Sequence, residues 1–414
     1  MPPDGFLDFI TPIDHFFVRS HVSVPKVDLA QWRLKVDGHV SNALALSMED
    51  VRRLPSIEVV SVLECAGNGR SFYQPPVAGI QWGHGAAGNA RWRGVRLADV
   101  LQRAGVKPGT VEILFDGSDV PIGTMEDFQR SIPLRKALHP STLLAYEMNG
   151  ETLPVKHGFP LRAVVPGWAG DSWTKWITGI RVLPEESRSF WMKSAYLHPG
   201  KPVAPGTVVP TDSMRPVTSL RVKSVIASPL DNAIVEPGKP LLVRGAAWTG
   251  DVGGQVTAVD VSVDQGRSWK AARLLSPATS FGWRLWEFSW TPTVERHYTL
   301  LARARDSSGD VQPLVQEWNP SGYLWNVIAR VDVNAGAVSP SLAALANDNS
   351  AAQPIAGFRE RCALCHEDDL IDQQRLTRVQ WEREINKMTN WGARVPAEER
   401  QGLLDYLLKI AGPR

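Results

Sequence analysis

The chain has almost no cysteine. Three occur in 414 residues, too few for a disulfide framework in a chain this long. It also lacks a charge excess. The formal net charge is +2 and no basic run has the density of a nucleic-acid footprint, so nucleic acid is not an expected partner. No apolar run approaches the roughly 18 residues of a membrane-spanning helix, which predicts no membrane span. The opening Met1-Pro2-Pro3-Asp4-Gly5-Phe6 has neither a charged nor an apolar leader segment, so no signal peptide is expected in the chain as given.

What is present is the composition of a globular protein, 43% hydrophobic and 21% charged. A chain of 414 residues exceeds one ordinary core, so two or three domains are expected. Sixteen tryptophans are many, and core packing accounts for most of them, leaving a few for aromatic pocket walls.

Residues 1–218 read as an irregular α+β domain. Trp32 to Val36 alternates apolar and polar, as a strand does, and Leu46 to Leu54 reads as a short helix capped by Ser47. Ile57 to Leu63 is a β-branched run that reads as a buried strand. It delivers Cys65 into the turn Ala66-Gly67-Asn68-Gly69, a common way to present a ligand at a cleft. Leu97 to Ala104 is a predicted helix, and Val111 to Phe115 and Leu161 to Val165 are predicted strands.

Over 219–335 the texture changes to short alternating runs with no helical period. Val222 to Ile226, Leu241 to Gly245, Val256 to Val263, Trp286 to Trp290 and Tyr298 to Ala304 are separated by turn signals such as Glu236-Pro237-Gly238. That pattern predicts an immunoglobulin-like β-sandwich. Small and polar residues over 336–356 predict a flexible linker. Beyond it, 357–414 reads as a small all-α unit: Trp381, Ile385 and Met388 share one helical face, as do Leu403, Leu404, Leu407 and Leu408. A unit that small is short of core, so a cofactor that doubles as core is expected.

The tail carries Cys362-Ala363-Leu364-Cys365-His366, the C-x-x-C-H spacing of covalent c-type haem. There the two thiols would add across the vinyl groups and the imidazole of His366 would ligate the iron, the alternatives being a zinc half-site or a chance match. Past the motif the tail has no other His or Cys and one methionine, so Met388 is the natural sixth ligand and predicts a raised potential. Lys387 and Lys409 are poorer ligands.

Ordered motifs then give the chain a resemblance. They are Phe17-Val18-Arg19-Ser20-His21, Glu64-Cys65-Ala66-Gly67-Asn68-Gly69-Arg70, Gly88-Asn89-Ala90-Arg91-Trp92, Met148-Asn149-Gly150-Glu151, His157-Gly158-Phe159-Pro160-Leu161-Arg162, Val165-Pro166-Gly167-Trp168 and Lys175-Trp176. Trp318-Asn319, Gly322 and Trp325-Asn326 close the set. Residues 10–330 resemble the sulfite oxidase family of molybdenum enzymes, which includes sulfite dehydrogenases, sulfane dehydrogenase subunits and plant nitrate reductases. The resemblance implies a molybdopterin-binding first domain and a sandwich that commonly mediates dimerisation, which leaves a homodimer open.

The resemblance also implies roles. Cys65 would give its thiolate to molybdenum. Arg19, Arg70 and Arg284 would surround the substrate anion, since a guanidinium stays charged and offers forked donors to an oxyanion. Tyr196 would hydrogen-bond the substrate, and Trp82 would wall the pocket. His21, His157, Arg162 and Lys175 would hold the pterin and its phosphate. Animal members place a b-type haem domain before the molybdenum domain, whereas here a c-type haem motif follows it. The expected activity is therefore sulfite oxidation to sulfate, with electrons passing through the haem to an external cytochrome c or similar acceptor. A sulfane dehydrogenase, a sulfoxide or nitrate reductase, or a degenerate binding protein are the rivals. Haem attaches to C-x-x-C-H outside the cytoplasm and molybdopterin is inserted inside it. A periplasmic protein exported in folded form is expected.

Overall fold

The structure is a computed structural model. It describes residues 1–336 apart from 23, 122, 276 and 277, and then 371, 374–390, 393 and 395–413. The first region is built on two five-stranded sheets. One runs Leu44–Leu46, Leu34–Gly38, Ile177–Leu183, Glu112–Gly117, Arg130–Pro133 in spatial order. Ile177–Leu183 lies parallel to Leu34–Gly38 and antiparallel to Glu112–Gly117, so this sheet is mixed. In the other, Ala87–Arg96 lies between Ser56–Glu64 and Leu143–Met148, and Leu143–Met148 in turn pairs with Glu151–Thr152 and Arg162–Val164. Leu34, Val36, Trp92, Leu97, Leu101, Ile113 and Phe115 fill the core beside them.

The β-branched run forms the strand Ser56–Glu64, whose last four residues are buried. The expected helix is shorter than its sequence suggests. Leu44–Leu46 pairs as a strand with Leu34–Gly38, and the helix covers only Met48–Arg52. Tertiary pairing overrides propensity there, but Ser47 caps the helix as expected, and Asp50 returns its carboxylate to the Ser47 N–H. The helix Leu97–Ala104 forms as predicted, with Leu97, Val100, Leu101 and Ala104 inward.

The second region is a sandwich of two sheets. One holds Lys223–Ser228, Leu241–Trp248, Arg284–Trp290 and Arg273–Leu274. The other holds Ala233–Val235, Ala329–Ala335, Arg296–Asp306, Val256–Ser262 and Lys270–Ala271. The sequence reading lacked Ala329–Ala335 and its parallel partner Ala233–Val235. The alternation of Ala329–Ala335 is plain, with Ala329, Val331, Val333 and Ala335 inward.

The two regions share a core. Phe6, Val62, Ala87, Val217, Trp248 and Trp283 pack in one cluster, and the Phe6 and Trp248 rings stack at 6.0 Å. The Val62 N–H donates to the Phe281 carbonyl (2.9 Å), and the Leu324 N–H to the Ala66 carbonyl (2.9 Å). The sandwich thus grips the turn that carries Cys65.

The motif residues Cys362, Cys365 and His366 and most of the linker lie outside the described residues. Two helices of the tail are described, Arg378–Asn390 and Arg400–Ala411. Trp381, Ile385, Leu404, Leu407 and Ala411 form their core, and Trp381 Nε1 donates to the Ala411 carbonyl (3.2 Å). Each large apolar side chain buried there contributes about 1.5–3 kcal/mol. The tail lies against the first region, where Thr124 Oγ1 donates to the Asn390 carbonyl (2.5 Å) and Ala78 packs on the tail cluster. Among the described residues no helix is long and apolar enough to cross a membrane.

Candidate active site

Cys65 follows the Ser56–Glu64 strand directly, and its backbone is pinned on both sides. Its N–H donates to the Ala86 carbonyl (2.9 Å) and its carbonyl accepts from the Asn68 N–H (2.9 Å). Burial pushes its thiol pKa up, while a backbone hydrogen bond from Gly67 and the charges of Arg70 and Arg19 pull the other way. Among the described residues no group of three or more His, Cys, Asp or Glu could enclose a metal. The Cys65 thiolate can give one ligand to a metal that a cofactor already holds.

Arg70 sits in a cradle of glycines. A Cβ on Gly67, Gly79 or Gly322 would lie 2.7, 2.8 or 2.9 Å from guanidinium nitrogens of Arg70, so only glycine leaves room. Arg70 Nη1 donates to the Ile80 carbonyl (3.1 Å) and Nη2 to the Ser321 carbonyl (3.2 Å), while its buried Nε has no partner. Arg19 and Trp82 line the same cavity of about 570 Å³ as Cys65 and Arg70.

Tyr196 is there too, with its backbone in the left-handed region at φ 52°. Its hydroxyl is 2.9 Å from His21 Nε2. Burial, then Arg19, Lys175, Arg130 and Lys387, hold the His21 pKa well below the ordinary histidine value, so this imidazole is neutral at pH 7. His21 also stacks on Phe128 at 4.5 Å. Its immediate contacts are thus with the tyrosine and aromatic rings.

A second, narrower cavity of about 70 Å³ shares Arg19, His21, Cys65 and Tyr196 with the first. His157, Arg162 and Lys175 line it. Arg162 Nη1 donates to the His157 carbonyl (2.7 Å) and Nη2 to the Trp173 carbonyl (3.2 Å), and Nε is buried without a partner. Burial lowers its pKa to about 9, which leaves it charged at neutral pH, and among the described residues no carboxylate pairs with it. Ser172 Oγ, Thr174 Oγ1 and Asp171 Oδ1 are also buried without partners. A buried unpaired cation amid unsatisfied polar atoms calls for a polar, anionic occupant. A pterin bearing a phosphate meets that demand.

Three lining residues were missed by the sequence reading. Asp119 and Asp171 line the narrow cavity, and burial raises each pKa to about 6. Tyr323 lines the large one, and its ring stacks on Tyr196 at 5.6 Å. Tyr323 lies between the quoted Gly322 and Trp325, so the motif marked its neighbourhood but not its role.

Arg284 is the exception among the expected arginines. It opens the strand Arg284–Trp290, its Nη1 points to the Val256 carbonyl (3.5 Å) inside the sandwich, and it lines none of the cavities at Cys65. The sandwich reaches the site instead through Ser321 and Tyr323. Met388 lines the large cavity from the tail.

Comparison with known proteins agrees with this geometry. Residues 21–191 match the oxidoreductase molybdopterin-binding domain, and residues 214–336 the Mo-co oxidoreductase dimerisation domain. The sulfite oxidase of Gallus gallus is 40% identical over 330 residues, 76% of this chain and 71% of that one. The chain belongs to the sulfite oxidase family. Its two matched domains make it a molybdopterin-dependent oxidoreductase with an immunoglobulin-like dimerisation-type sandwich. The sulfite oxidase of Arabidopsis thaliana is 36% identical over 350 residues, 78% of this chain and 88% of that one. Against the mitochondrial sulfite oxidase of Homo sapiens (39% identical), this family member covers 63% of the relative's length. Among solved structures, the sulfane dehydrogenase SoxCD from Paracoccus pantotrophus superposes with a TM-score of 0.69 at 29% identity, covering 81% of this chain and 86% of that one.

Proposed function

We propose that this family member oxidises sulfite to sulfate. The observation that carries the reading is the convergence of Arg19 and Arg70 on Cys65 in one cavity with Tyr196. Water supplies the fourth oxygen of sulfate, and two protons and two electrons leave. The molybdenum cofactor, which Cys65, Arg162, His157 and Lys175 would hold, would supply oxygen transfer and take up the electron pair. The protein does the rest. Arg19 and Arg70 draw the dianion in and stabilise its charge. The Tyr196 hydroxyl, fixed by neutral His21, is placed to hold or pass a proton. Trp82 narrows the approach.

The electrons would leave through a c-type haem on Cys362, Cys365 and His366, with Met388 as the second axial ligand, and then to an external cytochrome c-like acceptor. Support comes from the motif and from the large cavity, whose far wall is Trp381, Ile385, Met388, Leu403 and Leu407. Those apolar side chains suit a flat porphyrin. The opposite wall is the Cys65 site itself, which would make the electron path short. A periplasmic location and a homodimer through the sandwich complete the proposal.

The kinship with a sulfane dehydrogenase favours one second reading, a sulfur atom carried on a partner as substrate. Stopped-flow mixing of the oxidised holoprotein with sulfite separates the two. A rapid rise of the reduced-haem band supports sulfite oxidation. A haem that stays oxidised, in protein with molybdenum confirmed, rejects it.

A further inference from the structure

The second domain reaches the cavity at Cys65 through Tyr323. The segment Ser321-Gly322-Tyr323 leaves the sandwich and enters the cavity beside Cys65. Its backbone cannot swing. The Tyr323 carbonyl accepts from Tyr73 Oη (2.6 Å) and from Asn319 Nδ2 (2.9 Å), and the Tyr323 N–H donates to Asn319 Oδ1 (3.2 Å). The ring is held as firmly. It stacks on Tyr196 at 12° between planes, and the Arg70 guanidinium carbon lies 5.1 Å from its centroid.

The two tyrosines differ in one respect. Tyr196 commits its hydroxyl to His21, whereas the Tyr323 hydroxyl has no hydrogen-bond partner among the described residues. A phenol in an aromatic-walled cavity, beside two arginines and without a protein acceptor, is placed to donate to a ligand in that cavity. We propose that Tyr323 contacts the substrate, donating its hydroxyl hydrogen to an oxygen of the oxyanion held by Arg19 and Arg70. The inference rests on the reading that this cavity binds a small sulfur oxyanion. It adds a source of specificity, because a hydroxyl donor rewards substrates with an oxygen to accept and leaves a bare sulfur unrewarded.

Tyr323→Phe tests this in the holoprotein, because phenylalanine keeps the stack and the contact with Arg70. The readouts are KM and kcat for sulfite, and the affinity for sulfate by titration calorimetry. A lost hydrogen bond to a charged group predicts about a tenfold rise in both KM and the sulfate Kd, with kcat within about twofold. Tyr323→His, which keeps a flat ring and a donor, is expected to lose about threefold or less. Unchanged KM and sulfate Kd in Tyr323→Phe would overturn the inference. If the unsubstituted protein is not reduced by sulfite, the substrate reading falls by itself, and the sulfate titration still decides Tyr323.

Discussion

Glu64 and Lys223 meet at 2.5 Å in a buried ion pair, one residue before Cys65. The lysine comes from the sandwich and the glutamate from the first domain. Glu64 accepts two further hydrogen bonds, from Trp248 Nε1 (2.7 Å) and Asn68 Nδ2 (2.8 Å). Removing the lysine strands a carboxylate in the interior. Lys223→Met is expected to cost about 3–5 kcal/mol in denaturant unfolding. The double variant Glu64→Gln with Lys223→Met is expected to recover much of that loss. Equal losses in the single and double variants would mean that the pair is not an energetic unit.

Gly322 gives a sharper test of how Arg70 is held. Its φ is +62°, and a Cβ there would meet Arg70 Nε at 2.9 Å. Gly322→Ala therefore combines a left-handed backbone with a displaced guanidinium, a strain of about 1–3 kcal/mol. We expect a modest fall in melting temperature and a larger relative rise in sulfite KM. Gly309, at φ +95° with open space around it, is the control. Gly309→Ala is expected to cost stability alone, so an equal KM effect in both would sink the cradle argument.

His84 sets an acid limit. Burial, and then the charge of Lys223, lower its pKa to about 3. It stays neutral in the folded protein, while the unfolded chain binds a proton below about 6.5. Its contribution is whole above that value and is lost as pH falls from 6.5 towards 3, by up to about 1.4 kcal/mol per pH unit. Asp116, Asp119 and Asp171, each raised to about 6, act in the opposite sense over part of that window. The readout is therefore a difference. As pH falls from 7 to 5 the parent should lose stability relative to His84→Gln, and parallel curves would refute the assignment.

Much of this architecture was legible in the chain. Glycine turns and β-branched runs are local signals, so the strand leading to Cys65 and most sandwich strands could be read directly. Cys65, Arg19 and Arg70 could be read because their motifs carried them, Trp82 and Tyr196 only through the family resemblance, and the structure places all five at one cavity. Arg284 could not be placed that way. An arginine in a strand faces either side of the sheet, and only register decides which. Here the strand pairs Arg284 with Ala247, away from the cavities at Cys65. Tyr323, Asp119 and Asp171 were missed for the opposite reason. Their surroundings come from chain segments far apart in sequence, and nothing local announces a buried carboxyl or a phenol without a partner.

Met388 tests the proposed electron path. It lies on the helix Arg378–Asn390 with Trp381 and Ile385, and lines the cavity that also reaches Cys65. Two roles compete, a sixth ligand to haem iron and a flexible apolar filler. Met388→Leu keeps volume and apolarity but not the thioether. If Met388 is the ligand, the haem potential is expected to fall by on the order of 0.1 V, since thioether ligation favours the reduced iron. The visible spectrum should also change in form. Sulfite would still deliver electrons to molybdenum, but their onward transfer should slow, which stopped-flow would detect as delayed haem reduction. A filler methionine predicts an unchanged potential and spectrum with a small loss of stability, below about 1.5 kcal/mol for a volume-conserving swap. Potentiometric titration of the two holoproteins, followed in the visible haem band, decides between them.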